Sequence, residues 1–202
     1  MTLSVKIELT QDGGERYEVD REKELSRIAE EISMCSLCKK WGKGKAVPGE
    51  GNSSAQIIFI GEAPGTEEAM TGRPFVGRSG KFLRWMIKKI GLEEKEVFMT
   101  SPVQYFPMRG TPSRKNIFHS REHLFKQIFI IDPKIVVLLG KTACLALLER
   151  KAEIIKEHGT IIHKDGRIYL ITFHPAYAVR FPEGKKGFVQ DFNKLRRLLQ
   201  IS

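Results

Sequence analysis

The hydrophobic positions change their period along the chain, and each change marks an element. Val5, Ile7 and Leu9 alternate with polar neighbours, Asp12-Gly13-Gly14 offers a turn, and Tyr17 and Val19 lead back. That pattern predicts a small β-hairpin over residues 1–20. The period then becomes helical, with Leu25, Ile28, Ala29 and Ile32 on one stripe of a helix from about Arg21 to Met34. After the glycine-rich stretch 41–54 come four short, continuous apolar runs at 55–60, 97–100, 134–140 and 167–173. Each is too brief for a helix and each ends in a loop rich in Gly, Pro, Ser or His. Amphipathic helical patterns separate the runs: Ser79 is placed to cap one that closes at Gly91, and Thr111-Pro112 to open another reaching about Ile131.

Continuous apolar strands joined by helices belong to a parallel sheet covered on both faces. The fold predicted for residues 21–202 is therefore a three-layer α/β/α domain around a four-stranded, mainly parallel sheet, with the hairpin 1–20 as an appendage. Ligands of such sheets bind beyond the carboxyl ends of the strands, so the residues of those loops should converge.

Length and apolar fraction, 202 residues and 41%, suit one compact body with its own core. No apolar stretch is long enough to span a bilayer, and the first residues lack the features of a secretory signal, so an intracellular, cytoplasmic monomer is expected. Lysine and arginine exceed aspartate and glutamate by 34 − 24 = 10. The excess gathers in three stretches: around Arg73, Arg78, Lys81, Arg84 and Lys88; around Arg109, Arg114, Arg121 and Lys126; and around Arg180, Lys185, Lys194 and Arg197. A polyanion would account for them, and so would a lysine-rich solvated surface. Cys35 and Cys38 form a C-x-x-C, which inside a cell points to a metal, a cluster or redox chemistry, whereas Cys144 sits in an apolar helical run as core.

Two segments carry a resemblance. GEAPGTEEAMTGRPFVGRSGKF, residues 61–82, resembles the signature of the iron-sulfur branch, family four, of the uracil-DNA glycosylase superfamily. HPAYAVR, residues 174–180, is similar to that family's His-Pro motif, and the C-x-x-C after an opening helix and the spacing of 124–143 fit as well. The resemblance implies a monofunctional DNA glycosylase of base-excision repair, hydrolysing the N-glycosidic bond of a flipped, deaminated base. Its alternative is a catalytically silent DNA-binding module of the same fold, attached to replication or repair machinery.

Such a reaction builds positive charge on the sugar and negative charge on the departing base, so it needs a carboxylate or positioned water near one and hydrogen-bond donors near the other. Glu62, on the turn after the first run, suits the first task, and His174, after the last, suits the second. An ordinary surface carboxylate and a structural turn histidine are the plain readings of the same residues. The resemblance gives Phe75 the role of stacking on the base, places Gly61, Ala63 and Ser101 against it, and sets Pro64, Gly65, Arg73, Gly77, Arg78, Ser79, Pro175, Tyr177 and Arg180 along the DNA. Phe75 by default would be core, and residues 177–180 would be an exposed loop.

Two departures from the family pattern stand out. Ser101 occupies the place of an asparagine that reads uracil, and a hydroxyl offers one rotatable donor where an amide offers a fixed donor and acceptor. Uracil therefore shares the expectation with hypoxanthine and xanthine. Tyr105 and Ser120 stand where two of four cluster cysteines would fall, so a four-iron four-sulfur cluster cannot be carried over residue by residue. His119 and His123 lie one helical turn apart beside Ser120, and with Cys35 and Cys38 they make a possible zinc set; solvated histidines with vestigial cysteines and no metal are the other reading. Ala69 also replaces an acidic residue of the family's first motif.

Overall fold

The computed structural model describes residues 4–9 and 15–199. Strands β1 (Val5–Leu9) and β2 (Glu15–Val19) pair antiparallel with Val5 opposite Val19 and Ile7 opposite Tyr17. The expected turn at 12–14 lies outside the described residues. Helix α1 (Arg21–Met34) follows, capped by the Asp20 side chain on the Lys23 N–H, and its Ile28 and Ile32 are fully buried. Glu24 of α1 is buried too, and its carboxylate accepts the Ser4 N–H at 2.7 Å and pairs with Arg27, tying the hairpin to the helix.

The four apolar runs are strands β5 (Ile57–Ile60), β6 (Val97–Thr100), β8 (Ile135–Leu139) and β10 (Arg167–Thr172), all mutually parallel in the order β6-β5-β8-β10. The sheet is nevertheless six-stranded, which corrects the expected four. Two edge strands run antiparallel: β4 (Glu50–Gly51) beside β6, and β9 (Ile161–Lys164) beside β10. Both escaped the pattern for physical reasons. β4 is two residues inside a glycine-rich connection, and at Gly51 a Cβ would fall 2.1 Å from the Val97 carbonyl oxygen, so only glycine fits there. β9 reads Ile-Ile-His-Lys and is largely exposed, without the apolar run of a central strand.

Helices α4 (Arg78–Lys89), α8 (Pro175–Arg180) and α9 (Pro182–Leu199) pack on one another, and α5 (Arg114–Ile131) packs with α1, with α2 (Ser36–Trp41) and with α6 (Lys141–Leu148). The groups cover opposite faces of the sheet. Phe59 of β5 stacks on Phe192 of α9 at 5.9 Å, whereas the next residue, Ile60, is in register with Thr100, whose hydroxyl donates to Gln127 of α5 at 2.9 Å. Ile57–Ile60 and Ile135–Leu139 are buried throughout, as a two-sided sheet requires.

Two helix starts differ from expectation. α4 begins at Arg78 with Gly77 as its cap, so Ser79 lies inside the first turn. α5 begins at Arg114, capped by the Ser113 side chain on the Asn116 N–H, two residues beyond Thr111. The short helices α3 (Thr66–Thr71) and α7 (Ile154–Glu157) and the ladder of β3 (Gly42–Lys43) with β7 (Phe106–Pro107) complete the body. Among the described residues no helix is long and apolar enough to cross a membrane.

Leu138 lies at the centre of the sheet, paired with Ile60 and Ile171 and fully buried. Leu138→Ala should lower unfolding free energy by about 2–5 kcal/mol in a denaturant titration, because the surrounding strands cannot collapse into the void.

Candidate active site and cysteine-histidine cluster

The carboxyl ends of β5, β6 and β10 meet at a cavity of about 260 Å³ whose lining includes Glu62, Ala63, Pro64, Gly65, Phe75, Ser79, Ser101 and His174. The acid, the aromatic ring and the imidazole expected to converge therefore share one pocket. Glu68, Pro74 and Ala176 also line it, and Val47, Phe106 and Gly110 form the remaining wall. None of the three carried a signal in the sequence, since their position depends on the β3–β7 ladder.

Each side chain is held from behind. Glu62 accepts a hydrogen bond from the Thr142 hydroxyl of α6 at 3.0 Å, which fixes one carboxylate oxygen. His174 caps α8: its Nδ1 accepts the Ala176 N–H at 3.2 Å. In the neutral ring that acceptor forces the proton onto Nε2, so the imidazole presents a donor. Burial pushes its pKa down from 6.5 to about 4, so the ring is neutral at physiological pH. Gly140, with φ +91°, lets α6 begin directly behind it; a Cβ there would lie 3.1 Å from the His174 Cβ. Two residues upstream, the Thr172 hydroxyl donates to buried Asp191 of α9 at 2.6 Å, and His158 Nδ1 meets the same carboxylate at 3.1 Å.

Phe75 adopts a left-handed backbone, φ +53°, which is unusual for a non-glycine residue. Two groups hold it there. Arg84, with a side chain only 13% exposed, donates to the carbonyls of Phe75 (3.0 Å) and Pro74 (2.9 Å) and pairs with Glu94 and Glu50. On the other side, Glu68 accepts the N–H groups of Val76 (2.9 Å), Gly77 (2.8 Å) and Gly65 (3.1 Å). The ring itself lies on Gly61, where a Cβ would fall 2.7 Å from it, and the backbone lies on Gly80, where a Cβ would fall 2.1 Å from the Phe75 carbonyl. Arg84, read from sequence as part of a basic cluster, is thus an internal clamp. Glu68 carried one legible hint, its place three residues after the helix cap Gly65.

A groove of about 580 Å³ leaves the pocket between α3, α4 and α8, flanked by Arg78 and Arg180 and lined by Gly77, Ser79, Ala176 and Val179. Both arginines are exposed and neither makes an ion pair among the described residues. Arg73 is engaged instead: its guanidinium grips Glu50 at 2.6 and 2.8 Å. Residues 175–180 are helical, not the loop expected. Tyr177 is stacked between Phe173 (5.2 Å) and Phe181 (4.6 Å), which removes it from the exposed residues. The start of α4, which the resemblance sets along the DNA, faces the carboxylates of Glu67 and Glu68.

Away from the pocket, Cys35, Cys38 and His123 bring their ligand atoms within 4.8 Å of one another. His119 is next to them, its Nε2 3.2 Å from the Cys35 sulfur, while its ring meets the Trp41 ring edge-on. A four-thiolate cluster does not fit here. Tyr105 fills the third cysteine's place with its ring packed among Ile28, Ile32, Cys38 and Ile130, and Ser120 bonds Asn116 (3.0 Å) and the Cys38 sulfur (3.4 Å). Without a metal, burial pushes the Cys38 thiol up to about 11.

A parallel α/β sheet with a small pocket beyond its strand ends, bearing a carboxylate, an aromatic face and a neutral imidazole, defines a protein built to hold a flat polar ring. The model of the uracil DNA glycosylase superfamily matches residues 48–196, and the chain belongs to that family. It is 40% identical to a Type-4 uracil-DNA glycosylase of Sulfurisphaera tokodaii, over 86% of this chain and 84% of the other. It is 38% identical to one of Saccharolobus solfataricus (87% and 86%) and 35% identical to one of Thermotoga maritima (89% and 97%).

Two outcomes follow. Glu68→Gln places an amide against backbone donors and should cost about 1–3 kcal/mol, read by thermal unfolding, with the pocket loosened as Phe75 is released. The His174 ring should titrate near pH 4 by NMR. Since folding depresses its pKa, the stability associated with the neutral ring is complete above about pH 6.5 and declines as pH falls toward 4.

Proposed function

We propose that the protein is a monofunctional DNA glycosylase that hydrolyses the bond between deoxyribose and a deaminated base turned out of the helix. The observation that carries this is the single pocket lined by Glu62, Phe75, Ser101 and His174, in a chain of this family. DNA is its macromolecular partner, with Arg78 and Arg180 against phosphates on either side of the groove, and an intracellular location follows from that substrate. Gly65 and Ser79 bring backbone close to the strand, with Pro64, Gly77 and Pro175 buried beneath them; Arg73 and Tyr177 act indirectly, through Glu50 and the aromatic stack. The unit that does this spans 21–202, with the hairpin outside it.

The chemistry follows from the geometry. The base slides against the Phe75 ring, which Gly61 supports from beneath, while Ala63 leaves room along the edge of the base. As the glycosidic bond lengthens, Glu62, steadied by Thr142, faces the growing positive charge on the sugar and orients the attacking water. The electron pair of the broken bond passes to the base, and the Nε2–H of neutral His174 meets the carbonyl oxygen that takes up this charge. A neutral donor suits the role, because its hydrogen bond strengthens only as the oxygen becomes anionic.

Ser101 narrows the substrate class. Its hydroxyl donates to the Val103 carbonyl at 3.0 Å, so toward the pocket it offers lone pairs only. An acceptor there matches the ring N–H that uracil, hypoxanthine and xanthine all carry between carbonyl and neighbour, and repels the bare ring nitrogen of cytosine or adenine.

Duplexes carrying single uracil, hypoxanthine or xanthine, incubated with protein and cleaved with alkali, should yield product, uracil foremost; no product from any of them identifies a silent DNA-binding module instead. Glu62→Gln and His174→Ala should each lower single-turnover rate by about 10²–10³ while DNA affinity changes little, and equal loss of both quantities would overturn the assigned roles.

A further inference from the structure

The cysteine-histidine cluster lacks the ligands of the family's cofactor yet retains the shape of a metal site. We propose that Cys35, Cys38, His123 and His119 bind one zinc ion, a structural site distinct in metal and ligand set from a four-thiolate cluster. Three ligand atoms already lie within 4.8 Å of one another, and the fourth, Nε2 of His119, is 3.2 Å from the Cys35 sulfur. In a tetrahedral zinc site with bonds of about 2.0–2.3 Å, neighbouring ligand atoms are roughly 3.3–3.8 Å apart, so Cys35, Cys38 and His123 close by side-chain shifts of about an ångström, while His119, already against the Cys35 sulfur, swings further to join them. The two histidines stand four apart on α5, and the two cysteines open α2, so both pairs are delivered by regular helices that pack together.

An independent observation points the same way. Nδ1 of His123 is buried with no hydrogen-bond partner, an arrangement that costs free energy unless a ligand completes it. Two soft sulfurs and two imidazoles select zinc over magnesium or calcium, which take oxygen ligands. Binding displaces the two thiol protons to solvent, leaving a neutral site.

The ion would staple α2 to α5. The strand leaving α2, β3, pairs with β7, and β7 carries Phe106 to the pocket wall, with the Lys43 ammonium over its ring at 5.0 Å. Zinc thus steadies one side of the base pocket without touching the reaction; this last consequence, alone, rests on the glycosylase reading.

Elemental analysis of untagged protein, followed by removal of metal with a chelator and titration with zinc and with cobalt, tests the proposal. The expected result is one zinc per chain, little iron, a fall in melting temperature on chelation restored by zinc, and the absorption of tetrahedral thiolate-bound cobalt. Cys38→Ser and the pair His119→Ala with His123→Ala should lose that stoichiometry; if they do not fold, titration of the wild-type protein decides. Stoichiometric iron with a cluster band, a Cys35–Cys38 disulfide in protein kept under reductant, or a chain that takes up neither zinc nor cobalt overturns it. Uracil release, measured separately, should show a raised KM with kcat nearly unchanged in the metal-free form; an unaltered KM removes the link to the pocket and leaves the metal site standing.

Discussion

One carboxylate determines whether there is a pocket at all. Glu68 is almost fully buried, and its oxygens receive three backbone N–H groups, one from the turn that carries Glu62 and two from the turn that carries Phe75. Backbone turns of this kind have no regular partners of their own, and unpaired N–H groups in a buried place are costly. A single side chain meets that need for both turns and so fixes their separation. Arg84 works from the opposite side on the carbonyls of the same turn, which leaves the segment bonded through both its donors and its acceptors.

The rest of the site shows a division of labour between strands and helices. The strands bring Glu62, Ser101 and His174 to one edge of the sheet, and the helices behind them set orientation: Thr142 of α6 for Glu62, the first turn of α8 for His174, Asp191 of α9 for the end of β10. Groups held this way need little rearrangement when charge develops, which is where preorganised dipoles contribute most. The charge pattern is reshaped by the same economy of contacts. Several cations counted as a polyanion footprint face inward or are already paired, including Arg84, Arg73, Arg121 with Glu149, and Lys126 with Glu31. Arg78 and Arg180 remain beside the groove.

The parallel strands were legible because a strand buried on both faces is apolar almost throughout, as 57–60, 97–99 and 135–139 are. The convergence of Glu62 and His174 was legible because short motifs sit where such strands end. What escaped was long-range or depended on backbone geometry: β4, specified by one glycine's approach to Val97, the wall formed by Phe106, and the internal fate of Arg84, whose partners lie up to 34 residues away in sequence. Tyr177 had a local signal, its spacing of four from both Phe173 and Phe181, which only the helical turn at 175–180 brings into contact. The helix caps slipped by one or two residues because several serines, threonines and glycines competed for the same place.

The left-handed turn at Phe75 has a consequence for how the pocket can change. Its ring leans on Gly61 and its carbonyl on Gly80, so these three positions are interlocked: a larger residue at 61 evicts the ring, a larger one at 80 displaces the turn that carries it, and a smaller side chain at 75 leaves the Gly61 backbone facing empty space. Adaptation toward bulkier bases is therefore obstructed on that wall. The side formed by Val47, Phe106 and Gly110 lies outside that interlocked turn, and remodelling of base preference has its more open route there.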